Sequence, residues 1–201
     1  MYIFGKIDKN GFTLVELLVA TSIFLVVITA MSSTFISQQK TYAVQGNIAE
    51  MTQGARAAMN MLSTEVRQAG YNPMEITMAG IPYSATQLQL FADLNGDEDT
   101  SDINENIIYT YDSQNLRINR NDVNLDNTPT PFAENIGSCS VKYLKNDGVT
   151  EVTSTGETAQ IRSIEITINT RTSDPDPEYS ENNGYRTFTL TSHITPLNLG
   201  L

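Results

Sequence analysis

The 201-residue chain carries 23 acidic side chains against 12 Lys and Arg, a formal net charge of −11, with a single cysteine and a single histidine. One cysteine excludes an internal disulfide, and an acidic surface on which Lys and Arg nowhere cluster argues against a nucleic-acid partner. The length after the N-terminal segment suffices for one modest core.

The first residues, MYIFGKIDKNG, are polar at their end, carry Lys6 and Lys9, and have no apolar core of their own. From Gly11 onward Glu16 is the only charge before Lys40. At 1.5 Å rise per residue, the uncharged stretch Leu17 to Gln39 is long enough to span the roughly 30 Å hydrocarbon core of a bilayer. A carboxylate in hydrocarbon costs roughly 2.5–3.5 kcal/mol, so Glu16 calls for a partner or a task. The apolar run closes with MSSTFISQQ, which offers no small-residue cleavage pattern, so the segment is expected to be retained. Positive charge on the short N-terminal side keeps that side cytoplasmic and sends the C-terminal bulk across the membrane.

Gly11, Phe12, Thr13, Leu14 and Glu16, after a short basic leader and before an apolar helix, resemble the class III signal of the type IV pilin superfamily. The resemblance implies a leader, residues 1–11, removed between Gly11 and Phe12 by a prepilin peptidase, and N-methylation of Phe12. It also implies that Glu16 sets filament register by meeting a neighbouring subunit's terminal amine, since two opposite charges offset much of each other's desolvation in a low-dielectric core. Ser33 stands where many major pilins carry a helix-kinking proline.

Residues 12–36 then form the membrane helix and 37–72 its amphipathic continuation. Val44, Ile48, Met51, Ala55, Met59, Leu62, Val66 and Ala69 recur every three or four residues as one apolar stripe, with polar residues such as Gln53, Arg56, Glu65 and Arg67 between them. Gly70 is the expected C-cap, Pro73 forbids continuation, and Gly46 and Gly54 are weak points of the helix.

Residues 73–201 read as one antiparallel sheet on which the helix lies, giving an α+β fold. Strands are expected at Gln87–Ala92, Asn106–Tyr111, Leu116–Asn119, Cys139–Leu144, Ile161–Thr170 and Arg186–Ile194. Strict alternation in SIEITIN and RTFTLTS marks strands buried on one face. Turns are expected at Asp112–Asn115 and at Asn146-Asp147-Gly148, and a solvated, mobile loop at residues 173–184.

The acidic run from Asp93 to Asp102 is the one constellation with metal-binding chemistry. Asp93, Asn95 and Asp97 fall at positions 1, 3 and 5 of a calcium loop, joined by Asp99 and Asp102. Position 6 is Glu98 where an EF-hand needs glycine, and the bidentate Glu of position 12 is Asn104 with Glu105 one step late, so this is no EF-hand. The loop could hold calcium or be a solvated acidic connection; no cofactor is required. His193 has no nucleophile motif beside it and is expected at a surface or sheet edge, Cys139 as a small buried hydrophobe, and Tyr71, Tyr83, Tyr109, Tyr111 and Tyr143 in the core. No phosphate loop, zinc spacing or paired-acid site stands out, so an enzyme is not expected.

RQAGYNP, FADLNGDED, NIIYTY and FTLTSHITPLNL are similar to the minor pilins called PilW, themselves similar to J-type minor pseudopilins of type II secretion. This resemblance implies a pilin-like subunit that assembles or primes a filament at its tip, with roles in motility or cell adhesion. Its implied partners are other minor and major pilins, the prepilin peptidase and the inner-membrane assembly platform. Before assembly it would sit in the inner membrane with its C-terminal domain periplasmic, and afterwards in the pilus. The alternatives are a pseudopilin of a type II secretion system and a tip adhesin.

Overall fold

A computed structural model describes residues 11–199; the expected leader, apart from Gly11, lies outside the described residues. Among the described residues one α-helix, α1 (Leu14–Gln68), is followed by eight strands and two short 3-10 turns. The chain divides into two units, one reaching Gln45 and the other Gly46–Leu201.

In the second unit α1 buries Met51, Ala55, Ala58, Met59, Leu62 and Val66, so the stripe read from the sequence holds from Met51 on, while Ile48 is only half-buried. Neither Gly46 nor Gly54 interrupts the helix. It ends as expected: Gly70 has φ 78°, and its N–H leaves the helix to donate to the Phe91 carbonyl at 2.8 Å. Gly80 crosses this point so closely that a Cβ on it would lie 2.4 Å from the Gly70 Cα, which fixes the helix end against the first strand.

The expected single sheet is two. The first has the order β1-β2-β3-β4, with β1 Gln87–Phe91, β2 Asn106–Asp112, β3 Arg117–Asp122 and β4 Thr130–Ala133. The second has the order β6-β5-β7-β8, with β5 Ile136–Leu144, β6 Glu151–Val152, β7 Ser163–Arg171 and β8 Thr187–Ile194. All pairings are antiparallel. Six strands match the sequence reading to within a few residues. β4 and β6 were not foreseen, because Pro131 disguises one and the other is two residues long.

Alternation sorts the faces. Ile164, Ile166 and Ile168 of β7 are fully buried in one core with Leu62 and Val66 of α1 and Leu88, Ile107 and Ile118 of the first sheet. The Tyr143 hydroxyl of β5 donates to the Gln87 carbonyl of β1 at 3.0 Å, tying the sheets together. Cys139 is half-buried beside this core and burial pushes its thiol up to about 11, as suits a small hydrophobe. Tyr71 departs from the expected core placement, being 42% exposed. The segment 173–184 is more than a solvated loop. Asp176 is buried, receives Arg186 Nε and Nη2 at 2.9 and 2.8 Å, and its N–H reaches Gly184, whose φ of 88° suits glycine.

Both predicted turns form, each around an aspartate. Asp112 accepts from the Asn115 side chain and from the Gln114 and Asn115 N–H groups, which lowers its pKa. The Thr150 hydroxyl, then the Val149 and Thr150 N–H groups, hold Asp147 down to about 2. A folded-state pKa below the unfolded value lends stability that is complete above the unfolded value and lost as pH falls through the folded one. The melting temperature of the full chain in detergent should therefore hold from about pH 7 to about 5 and decline toward about pH 2. Asp147→Asn should make that decline shallower.

Candidate functional site

Three constellations carry chemistry. At the N-terminus Phe12 is 92% exposed and α1 begins at Leu14. Thr13 and Glu16 form a reciprocal cap: the Thr13 N–H and Oγ1 both donate to Glu16 Oε2 at 2.8 Å, and the Glu16 N–H donates to Thr13 Oγ1 at 3.2 Å. The sequence reading took Glu16 for its charge and missed this cap, although Thr-Leu-Val-Glu fits the capping-box pattern.

Beyond the cap, Leu17, Leu18, Ile23, Phe24, Leu25, Val26 and Phe35 are exposed, and this stretch of α1 is long and apolar enough to cross a membrane. Five of its hydroxyls are bonded within the helix: Thr21 and Ser22 donate to the Leu18 carbonyl, Thr29 to Leu25, and Ser33 and Thr34 to Ala30. Such back-bonding lets these polar groups enter an apolar medium without an unpaired donor.

The acidic loop places its residues in two roles. Asp97, Asp99, Asp102 and Glu105 bring carboxylate oxygens within 4.8 Å of one another and could hold a divalent cation. Asp93 and Asn95 play another part. Asp93 is fully buried and its carboxylate accepts the Gly96 and Glu98 N–H groups at 2.6 and 3.3 Å. Asn95 aims its amide nitrogen at Asp97 and Asp102, at 3.0 and 2.6 Å, while its oxygen accepts the Asp97 N–H. Glu105, 1% exposed, joins from the residue just before β2 and accepts the Leu94 and Asp102 N–H groups. Its place one step past the twelfth loop position was the available signal. Partial desolvation, then the Asp97 charge, raises the Asp102 pKa, whereas Ser101 hydrogen bonds lower that of Asp99.

Because Asp93 serves the backbone, Asp93→Ala should destabilise the domain by about 2 kcal/mol with or without calcium, read as a lower melting temperature. Asp97→Ala should melt at or above the parent in chelator, since it removes a like charge beside Asp102. A calcium site requires that millimolar calcium raise the melting temperature of the parent and leave that of Asp97→Ala unchanged.

The third constellation was not foreseen. Glu65, read only as a polar position between stripe members, accepts the Tyr109 hydroxyl of β2 at 2.6 Å and Arg120 Nε of β3 at 3.1 Å. Arg120 Nη2 also donates to Asn104 at 2.9 Å, and the Asn104 N–H donates to Asp122 at 2.8 Å, so a polar chain links α1 to the end of the acidic loop. Burial, then the Glu65 charge, pushes the Tyr109 phenol well above its ordinary value, so it remains a hydrogen-bond donor. His193 lies exposed on β8 as expected, its Nε2 3.0 Å from Glu165 Oε2, with Lys142 Nζ 2.8 Å from the other oxygen.

Residues 7–32 match the family described as the prokaryotic N-terminal methylation motif. No curated protein matches the chain. Among solved structures it is similar to a type IV-like pilin from Thermus thermophilus, with 11% identity and a TM-score of 0.46 over 74% of this chain and 98% of that one. The chain thus carries a prokaryotic N-terminal methylation motif at the head of a long apolar helix.

Proposed function

We propose that this chain is a minor pilin, a structural and priming subunit of a type IV pilus placed at the filament tip. The observation that carries the reading is the methylation motif opening a helix whose apolar side chains are exposed among the described residues. In this reading residues 1–11 are the leader, cut by a prepilin peptidase between Gly11 and Phe12. Phe12 becomes the methylated terminus, and residues 12–36 hold the subunit in the inner membrane with residues 73–201 in the periplasm. Extraction into the pilus through the assembly platform then exchanges lipid for the helices of neighbouring pilins. In that exchange the packing of side chains between helices, rather than removal of apolar surface from water, favours assembly, because lipid tails are as apolar as the helix itself.

Cleavage frees a cationic amine at Phe12, which a neighbour's Glu16 can meet. Mass spectrometry of the protein recovered from membranes should find methylated Phe12 as the first residue. A terminus beyond residue 30 would mark an ordinary secretory signal and remove the pilin reading.

A further inference from the structure

The four sheet edges are unequally protected. An edge strand exposes unpaired N–H and C=O groups, and proteins blunt such edges by shortness, proline, charge, a bulge or a covering chain. β6 has two residues. β4 has four, contains Pro131 and follows a register shift. β1 has five, and its Phe91 N–H is engaged by the Gly80 carbonyl at 2.8 Å. Among the described residues β8 shows none of these devices. It is eight residues long without proline, and its register with β7 is unbroken from Thr187 to Ile194.

Thr187, Thr189, Thr191 and His193 of β8 are exposed, and Phe188 and Leu190 on its core side are only half-buried. Among the described residues β7 is its only strand partner, which leaves alternate backbone groups of β8 turned outward. In a chain of net charge −11, the stretch from Thr187 onward contains no Lys, Arg, Asp or Glu. A strand approaching this edge therefore meets no like-charge barrier.

We propose that β8 accepts an extended strand from a different subunit of the filament, an uncharged segment that alternates hydroxyl and apolar side chains. Its backbone would continue the second sheet, its apolar side chains would cover Phe188 and Leu190, and its hydroxyls would lie beside Thr189 and Thr191. The source of the strand rests on the pilin reading; the pairing itself does not. Pairing β8 with β8 of a second copy about a two-fold axis would reverse every element lying along the sheet, the packed part of α1 included. Helices drawn from one membrane into one filament share a direction, so the strand belongs to another subunit.

The test uses the full chain in detergent and a synthetic peptide of four Thr-Val repeats with a lysine at each end. Saturable binding is expected, with amide hydrogen exchange slowed in β8 and in no other strand. Two further peptides, N-methylated on one or the other set of alternate residues, should differ. One should bind like the parent and the other at least about ten-fold more weakly, because only one edge of the peptide bonds the protein. Absence of binding at millimolar peptide, equal behaviour of the two methylated peptides, or protection outside β8 would overturn the proposal. So would a disulfide-linked homodimer of Thr189→Cys in membranes, which would put a second copy on this edge. An N-terminus other than methylated Phe12 would remove the pilin reading and leave the peptide result standing.

Discussion

Glu16→Ala is expected to leave the chain folded and inserted in the membrane while nearly abolishing its entry into filaments. The isolated chain loses only the half of the cap in which Glu16 Oε2 accepts from Thr13, keeps the Glu16 N–H bond to Thr13 Oγ1, and is relieved of a charge that is costly in hydrocarbon. In the proposed filament, by contrast, the neighbouring amine at Phe12 would be left unpaired in a low-dielectric core, a defect on the order of 3–5 kcal/mol. That is enough to lower incorporation by two orders of magnitude or more.

Glu16→Gln separates the two roles. A glutamine can still complete a capping box, so the helix start is retained while the charge is gone. Both variants should therefore be depleted from sheared filaments to a similar extent while remaining abundant in the membrane fraction. Incorporation of Glu16→Gln at the parent level would assign Glu16 to capping alone.

The second large effect is expected at Glu65. Removing its carboxylate by Glu65→Ala leaves Arg120, itself largely buried, without its ion-pair partner and the Tyr109 hydroxyl without an acceptor. Both side chains of the pair are less than a fifth exposed, at 17% for Glu65 and 19% for Arg120, so solvent screens the loss only partly. Destabilisation of about 3 kcal/mol is expected, measured by chemical denaturation of the full chain in detergent. The double variant Glu65→Ala with Arg120→Ala should recover part of this loss, because the unpaired charge goes with its partner. A loss below about 0.5 kcal/mol in the single variant would show that the network contributes no more than an exposed ion pair.

Periodicity made much of this architecture legible. SIEITIN predicted β7, and its burial alternates residue by residue as the pattern requires. The stripe on α1 predicted the packed residues from Met51 to Ala69, and the two turn aspartates marked two hairpins. What local pattern left unread shares a different cause. Glu65 read only as a polar residue beside the stripe because its partners lie 44 and 55 positions away in β2 and β3. Asp93, at the first position of the calcium-loop spacing, accepts the loop's own N–H groups, and Glu105 from beyond the loop's twelfth position joins the carboxylate cluster, neither of which the spacing shows.

The sequence by itself determined the apolar, singly charged N-terminal helix, the methylation motif at its head and the mixed helix-and-strand character. Each of these is written in neighbouring residues: a run of side chains of one polarity, a short spaced motif, or a period of two or near four. The tertiary structure alone decided that the strands form two sheets, that Asp176 pins the loop before β8, and that β8 is left as the unprotected edge. Those outcomes depend on which distant strands pair and which buried charges meet. Such partnerships are set by closure of a common core rather than by any local pattern.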